Sequence, residues 1–101
     1  MMMSNELRLL PWTGPDGKAC FLSTDDNDGY MSRLADNIES LQLGTATELL
    51  DQAIDMLATD TAPDDMRLLV KHLTGTLRDT LRVATSRGHR LESRSTGHRP
   101  R

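Results

Sequence analysis

Histidine, cysteine and closely spaced carboxylates are the side chains of this sequence that could carry out catalysis. His72 follows Lys71 and lies off the main apolar positions of its predicted helix, so we expect an exposed histidine rather than a general base. Cys20 would need a base and an orienting group to act as a nucleophile, and residue spacing nominates neither. Asp51 and Asp55 share a helix face, but without a histidine or third acid beside them they favour a solvated edge over a metal site. We therefore predict no catalytic residue and a protein that is not an enzyme.

Two further segments resemble ligand-binding loops, one for calcium and one for phosphate, but neither has the residues that such a loop requires. Residues 24–29 are as acidic as a calcium loop, but counting from Asp25 puts Gly29 where an EF-hand needs an oxygen ligand and Asp36 where it needs glutamate. Their side chains suit turns and helix N-caps instead. Residues 14–17 contain two glycines but lack the Gly-Lys-Ser/Thr ending of a phosphate-binding loop. We predict no metal site and no cofactor.

The composition favours one small cytoplasmic domain built mainly from helices. A chain of 101 residues forms a single domain that buries little over half of its unfolded surface. Trp12, Phe21 and Tyr30 are the only aromatic residues, which leaves an aliphatic core typical of packed helices. A single cysteine excludes an internal disulfide and a cysteine-rich zinc site. The sequence shows neither a signal-peptide pattern nor the roughly 20 apolar residues that cross a bilayer, so we predict no contact with a membrane.

The N-terminal third predicts a β-hairpin over about residues 7–23. Two apolar runs flank Gly14, Pro15, Asp16 and Gly17, in which proline, aspartate and glycine suit successive turn positions. Pro11 cannot donate a ladder hydrogen bond and makes the first run an edge strand. An isolated hairpin is barely stable, so we expect its aromatic residues, Trp12 and Phe21, to point at the helices that follow.

Two long amphipathic helices are predicted next, over about 30–58 and 63–87. Apolar residues recur at steps of three and four, as a buried stripe requires. In the first helix the stripe changes phase near Gly44, where Thr45 and Glu48 form a capping-box pattern, so either one helix bends there or two helices meet; we prefer one helix because an internal glycine costs only about 1 kcal/mol. The predicted buried stripes comprise Met31, Leu34, Ala35, Ile38, Leu41, Ala46, Leu49, Leu50, Ala53, Ile54 and Leu57, then Met66, Leu69, Val70, Leu73, Leu77, Leu81 and Ala84.

Helix ends and topology follow from the residues between and after the stripes. Thr61 is the expected N-cap of the second helix and Gly88 its expected left-handed terminator. A short connection makes the two helices antiparallel. Residues 89–101 have no apolar period and are predicted to form a disordered, arginine-rich tail. The predicted fold is therefore mainly α: a β-hairpin, an antiparallel pair of long helices, the first with a potential kink at Gly44, and a basic tail.

Charge is distributed unevenly along the chain. Residues 1–86 carry a formal charge of minus seven, and residues 87–101 carry plus four. The second helix also has a basic side, which could face phosphates or pair with acids of the first helix in the same or another subunit; we prefer acid pairing. The predicted basic side comprises Arg67, Lys71, Arg78 and Arg82, and the candidate nucleic-acid contacts of the tail are Arg87, Arg90, Arg94, Arg99 and Arg101.

Three stretches resemble small uncharacterised helical proteins of Streptomyces and related actinobacteria. They are residues 11–18, with Pro-Trp-Thr-Gly-Pro-Asp-Gly-Lys, residues 34–39, and residues 81–88, with Leu-Arg-Val-Ala-Thr-Ser-Arg-Gly. The similarity spans about residues 8–91. It implies a source and no activity or site.

Three functions remain as hypotheses. The preferred one is a cytoplasmic regulatory or adaptor protein that binds a protein partner, or a second copy as a homodimer with coiled-coil character, through its helical hairpin. Its predicted partner-binding residues are Trp12, Phe21 and Tyr30 with the basic side of the second helix. The alternative is a nucleic-acid-associated regulator that uses the tail and that basic side. The third is small-molecule sensing in a pocket near the three aromatic residues.

Overall fold

The computed structural model describes residues 7–23 and 29–98, with the side chains of 92–98 excepted. Its elements are β1 (Leu7–Thr13), β2 (Ala19–Ser23), α1 (Tyr30–Leu57) and α2 (Pro63–His98). The prediction of a mainly helical chain with an N-terminal β-hairpin and two long helices is confirmed. The acidic segment predicted to form turns and caps, 24–28, lies outside the described residues.

The hairpin turn forms as its residue types require. The amide N–H of Gly17 donates to the carbonyl of Gly14 at 2.9 Å, and the amide N–H of Lys18 donates to the Asp16 carboxylate at 3.0 Å. Gly17 has a φ of +81°, which glycine adopts without steric cost. The turn prediction from Pro15 to Gly17 is confirmed.

The strands pair antiparallel with an irregular register around Pro11. Leu9 pairs with Phe21 and Thr13 with Ala19, so the register shifts between these two pairs. Pro11 has no backbone N–H and cannot donate an interstrand hydrogen bond, so the irregular register coincides with a position that could not pair regularly. The carbonyl of Pro11 instead accepts a hydrogen bond from the side-chain amide of Gln42 on α1 at 2.9 Å.

Helix α1 is continuous through Gly44, as the preferred interpretation predicts. It spans 28 residues, and its N-cap, Gly29, makes no side-chain cap hydrogen bond. Thr45 and Glu48 therefore lie inside the helix and do not form a capping box. Packing along the whole helix outweighs the cost of one internal glycine.

The connection between the helices differs from the prediction in one respect. Thr61 does not cap α2, which begins at Pro63; its hydroxyl donates to the carbonyl of Met56 at 2.8 Å and so stabilises the end of α1. The helices are antiparallel, as predicted, because Met56 and Leu69 line one groove while Leu49 and Thr76 line the next.

Helix α2 continues beyond its predicted end. It spans 36 residues to His98, so the end predicted near Arg87 is too early and residues 89–98, predicted to be disordered, are helical. Gly88 lies within the helix rather than terminating it. The physical reason is tertiary contact beyond Gly88, because Arg90 donates to the Ser86 hydroxyl and pairs with Glu39 of α1. Residues 99–101 lie outside the described part of the chain.

The apolar core of a single copy is small. Among the described residues, the buried apolar side chains are Leu10, Pro11, Ala35, Leu69 and Val83. Strand β1 packs against α2 and the first half of α1, and the hydroxyl of Ser86 donates to the carbonyl of Leu9 at 3.0 Å. Each side chain of this size contributes only about 1.5–3 kcal/mol on burial, so one copy has little apolar burial to set against its chain entropy.

Candidate protein-docking face

Each helix presents two adjacent apolar seams, of which only one is covered. The inner seams, at steps of three and four residues, face the other helix or β1, and every member is buried or half-buried. The inner seam of α1 comprises Ser32, Ala35, Glu39, Gln42, Ala46, Leu49, Ala53 and Met56, and that of α2 comprises Met66, Leu69, Leu73, Thr76, Thr80 and Val83.

The second seam of each helix lies one residue later in sequence and is exposed. One residue rotates the side chain by about 100° around the helix axis, which turns it away from the partner helix. On α1 this seam comprises Leu50, Ile54 and Leu57; on α2 it comprises Val70, Leu77, Leu81 and Leu91. More than half of each of these side chains is exposed. Thr47 also belongs to this seam on α1, and Arg67, Thr74, Ala84 and Gly88 belong to it on α2, all of them exposed. Nearer the N-terminus of α1, Leu43 lies on the same seam and is half-buried.

The predicted buried stripes are therefore only partly correct. Leu50, Ile54, Leu77 and Leu81 face solvent, as do the stripe residues Met31, Leu41, Leu57, Val70 and Ala84. The apolar surface of each helix is wider than one neighbouring helix can cover. Periodicity alone could not separate the two seams, because Leu49 and Leu50 have equivalent apolar spacing.

Both exposed seams lie on the same side of the helical hairpin. Each is rotated from its inner seam in the same sense along the sequence, and the two helices run in opposite directions. In each helix the second seam is turned by the same angle about the chain direction. Because the two chain directions are opposite and the two inner seams face each other, both second seams turn toward the same side of the hairpin. We call this surface, formed by Leu50, Ile54, Leu57, Val70, Leu77, Leu81 and Leu91, the docking face.

The opposite side of the hairpin is polar. A groove there is lined by Glu48 and Gln52 of α1 and by Lys71, His72 and Asp79 of α2. Leu68 lines the continuation of this groove. His72 is exposed at the groove, as expected. Polar and charged side chains therefore predominate on this side, although it also carries the exposed Leu68 and, nearer the N-terminus of α1, Leu41.

Charged residues at the outer edges of the hairpin differ in sign. Asp51 lies two residues after the inner-seam Leu49, and Arg78 lies two residues after the inner-seam Thr76. Two residues rotate a side chain by about 200°, so these charges point away from the neighbouring helix. Within the described part of the chain, Arg67, Lys71 and Arg78 make no ion pair with an acid of α1, contrary to intramolecular pairing. Arg82 pairs with Asp79 on its own helix, at 3.2 Å.

A buried cluster of charges fastens the open end of the hairpin. The Arg8 guanidinium, 6% exposed, lies 2.7 Å from the Asp36 carboxylate and 3.4 Å from that of Glu39, which is 1% exposed. Arg87 and Arg90 approach Glu39 to 3.6 and 3.7 Å. Arg8 also donates to the hydroxyl and carbonyl oxygens of Ser32. One carboxylate on α1 therefore joins β1 to the C-terminal half of α2.

Within this cluster, burial is the largest influence on the pKa of Arg90. Burial lowers the pKa of Arg90, and the positive charge of Arg8 lowers it further, whereas Glu39 and Asp36 act in the opposite direction. Arginine nevertheless stays protonated in proteins. Neither carboxylate oxygen of Glu39 has a hydrogen-bond partner in the described part of the chain, so its contacts are ion pairs only.

Two patterns in the sequence are consistent with this cluster. In a strand, Arg8 and Leu10 lie on one face and Leu9 lies on the other. If the face with Leu10 packs on the helices, Arg8 is buried with it. Glu39 lies on the inner seam when the spacing of Ala46 and Leu49 is continued toward the N-terminus. The prediction that acids of the first helix pair with the basic side of the second does not identify Glu39 as buried.

The structure distributes the predicted site residues over different surfaces. Trp12 is half-buried, as expected of a residue that packs on helices, but Phe21 and Tyr30 are more than half exposed. Phe21 does not point at the helices because it shares a strand face with Leu9, whereas Arg8 and its partner Leu22 occupy the inward face. Of the tail arginines, Arg87 and Arg90 belong to the buried cluster. The side chain of Arg94 and all of Arg99 and Arg101 lie outside the described residues.

Tests for other kinds of site give no candidate. Within residues 7–23 and 29–91, no three histidine, cysteine or acidic side chains are grouped so as to hold a metal ion. Neither helix, over its described residues, is long and apolar enough to span a membrane. Comparison with protein-family models, curated proteins and solved structures finds no match. Functional inference therefore rests on the docking face.

Proposed function

We propose that this protein is a non-enzymatic regulatory or adaptor protein that binds a protein partner through the docking face of its helical hairpin. The supporting observation is that large apolar side chains of both antiparallel helices fall on one side of the hairpin, each of them more than half exposed. Scattered exposed leucines are ordinary, but a contiguous apolar patch marks an interaction site.

The energetics agree with this proposal. Completing the burial of a half-exposed leucine contributes roughly 1 kcal/mol, half of the value for full burial. The large side chains of the docking face together would contribute several kcal/mol, which is comparable to the whole folding free energy of a small domain. A partner on this face would therefore bind tightly and stabilise the fold.

The test uses two leucines on the same helix with similar exposure. Leu77 belongs to the docking face and is 59% exposed, whereas Leu68 lines the polar side and is 52% exposed. Tagged wild type, Leu77→Ser and Leu68→Ser are recovered from the native host after nuclease treatment. The proposal expects Leu77→Ser to lose the bound protein and Leu68→Ser to retain it. Equal recovery of the same partner by all three would exclude the docking face.

Nucleic-acid association is a second candidate, supported by one observation. Arg67, Lys71 and Arg78 are exposed and form no ion pair in the described part of the chain, so they are available to phosphates. A deletion of residues 89–101 is not a suitable test, because it would remove Arg90 and so disturb the buried cluster. A cleaner variant is Arg94→Ala/Arg99→Ala/Arg101→Ala, measured for DNA binding at two salt concentrations. Salt-sensitive binding that these substitutions weaken would support this function; salt-insensitive or absent binding would exclude it.

A further inference from the structure

The occupant of the docking face can be deduced from the arrangement of apolar and charged residues on it. A face carried by two antiparallel helices can be covered by another two-helix face, which gives a four-helix bundle. A second copy of this chain offers such a face, with apolar residues at the same helical spacing. A second copy is also present wherever the chain is made. Because one copy buries few apolar side chains, association with a second copy would add stability to the folded state.

Two face-to-face arrangements have twofold symmetry. If the axis is perpendicular to the helices and lies in the plane of the interface, α1 packs on the partner's α1. If the axis is parallel to the helices, α1 packs on the partner's α2. Both arrangements bury the docking face, so the apolar residues do not distinguish them.

The edge charges do distinguish them. The α1 edge is acidic, with Asp51 and, further around the helix, Asp55; the α2 edge is basic, with Arg78. Packing α1 on α1 would place like charges together along both edges. Packing α1 on α2 places acid against base along both edges, and like-charge juxtaposition is what specific interfaces avoid.

The axial register also fits the second arrangement. Within one copy, Leu49 lies opposite Thr76 and Met56 opposite Leu69. Rotation about an axis parallel to the helices leaves axial height unchanged, so the same levels face each other between copies. Asp51 then falls level with Thr74 of the partner subunit, about one helical turn from the partner's Arg78.

We infer that the docking face is covered by a second copy of this chain, related by a twofold axis parallel to the helices, with α1 of each protomer packed on α2 of the other. This inference rests on the proposed function and names the partner of the same face. Every helix in the resulting bundle has antiparallel neighbours, as in up-down four-helix bundles.

Sedimentation equilibrium of the purified protein tests the inference. Wild type and Leu68→Lys should sediment as dimers of the 11.3 kDa chain, whereas Leu77→Lys, which places two charges in the interface, should raise the dimer Kd at least about 100-fold. A monomeric wild type at about 100 μM, far above the Kd values of specific interfaces, would overturn the inference. So would a Leu77→Lys variant that remains as dimeric as Leu68→Lys.

Charge reversal tests the axis and keeps the inference falsifiable if Leu77→Lys fails to fold. Asp51→Lys and Arg78→Glu, both at exposed edges, should each raise the Kd about tenfold at low salt, because each creates like-charge contacts along two edges. An equal mixture should form a heterodimer near wild-type affinity, since each lysine at 51 then meets a glutamate at 78. Single variants as tight as wild type would overturn the α1-on-α2 arrangement.

The outcome is separable from that of the proposed function. A monomeric wild type whose capture of a different protein still depends on Leu77 would overturn the second-copy inference alone. A stable dimer unaffected by Leu77→Lys, together with Leu77-independent capture, would overturn both.

Discussion

Replacing Glu39 by glutamine should destabilise the protein by about 3 kcal/mol, because a buried guanidinium loses its buried counter-ion. Glu39 is 1% exposed and lies 3.4 Å from Arg8, which is 6% exposed. Two unit charges about 4 Å apart attract by roughly 4 kcal/mol at the effective dielectric constant of 20 that suits such sites. Arg87 and Arg90 add less, since 49% and 34% of their side chains are exposed and solvent screens them.

Two opposing contributions determine the net loss of folding free energy in Glu39→Gln. In Glu39→Gln no carboxylate has to be desolvated on folding, which offsets part of the lost attraction to Arg8. Arg8, however, keeps only the exposed Asp36 as an acidic partner. Breaking a buried ion pair from one side costs about 3–5 kcal/mol, and the remaining Asp36 contact puts Glu39→Gln at the lower end. A domain of this size is stabilised by only about 5–15 kcal/mol in total. The substitution should therefore lower the urea midpoint markedly.

The assay is urea unfolding followed by far-ultraviolet circular dichroism, at one fixed protein concentration because association would shift the midpoint. Asp36→Asn is the control: its carboxylate lies closer to Arg8, at 2.7 Å, but is 63% exposed. It should cost less than about 1 kcal/mol. If Asp36→Asn destabilised the protein as much as Glu39→Gln, burial would not be the controlling factor and the reasoning would be refuted.

A double substitution separates attraction from burial. In Arg8→Met/Glu39→Leu both buried charges are replaced by apolar groups of similar size, and such replacements are often neutral or stabilising. The double variant should therefore be more stable than Glu39→Gln alone, and the coupling between the two positions should exceed about 1 kcal/mol. Additive losses would show that Arg8 and Glu39 contribute independently.

Three further substitutions are expected to change stability in defined directions, each measured by the same urea titration. Gly44→Ala should stabilise by up to about 1 kcal/mol, since a Cβ there meets nothing within 4 Å in an exposed helix position. Gly17→Ala should destabilise by about 1 kcal/mol because of the φ of +81°. Arg90→Met should cost less than about 1 kcal/mol, because the loss of its contacts with Glu39 and Ser86 is offset by relief from desolvation and from Arg8. A destabilised Gly44→Ala, an unchanged Gly17→Ala, or an Arg90→Met as harmful as Glu39→Gln would contradict the respective argument.

Local signals predicted the elements well. The residues from Gly14 to Gly17 specify a turn by their own conformational preferences, and steps of three and four residues locate both helices. A connection as short as residues 58–62 then leaves only an antiparallel arrangement. These features depend on neighbours in sequence, so a single sequence contains the necessary information.

The orientation of the helices about their own axes could not be predicted in the same way. Leu49 and Leu50, or Leu69 and Val70, are both apolar, and either seam satisfies the periodicity. The choice is made by distant residues, since the Arg8 contacts with Ser32 and Glu39 fix which side of α1 turns inward. The helical continuation past Gly88 likewise depends on Glu39, whose contact with Arg90 no local signal at Gly88 could reveal.

The hydrogen bond from Ser86 to Leu9 joins residues 77 positions apart in sequence. During synthesis, β1 leaves the ribosome long before Ser86 and Arg90 have been added, at about 5–20 residues per second. The contacts of β1 with α2 therefore cannot form until this last part of the chain has been made. Arg8 meets Ser32 and Asp36 at separations of only 24 and 28 positions, so the hairpin can attach to α1 before it attaches to α2.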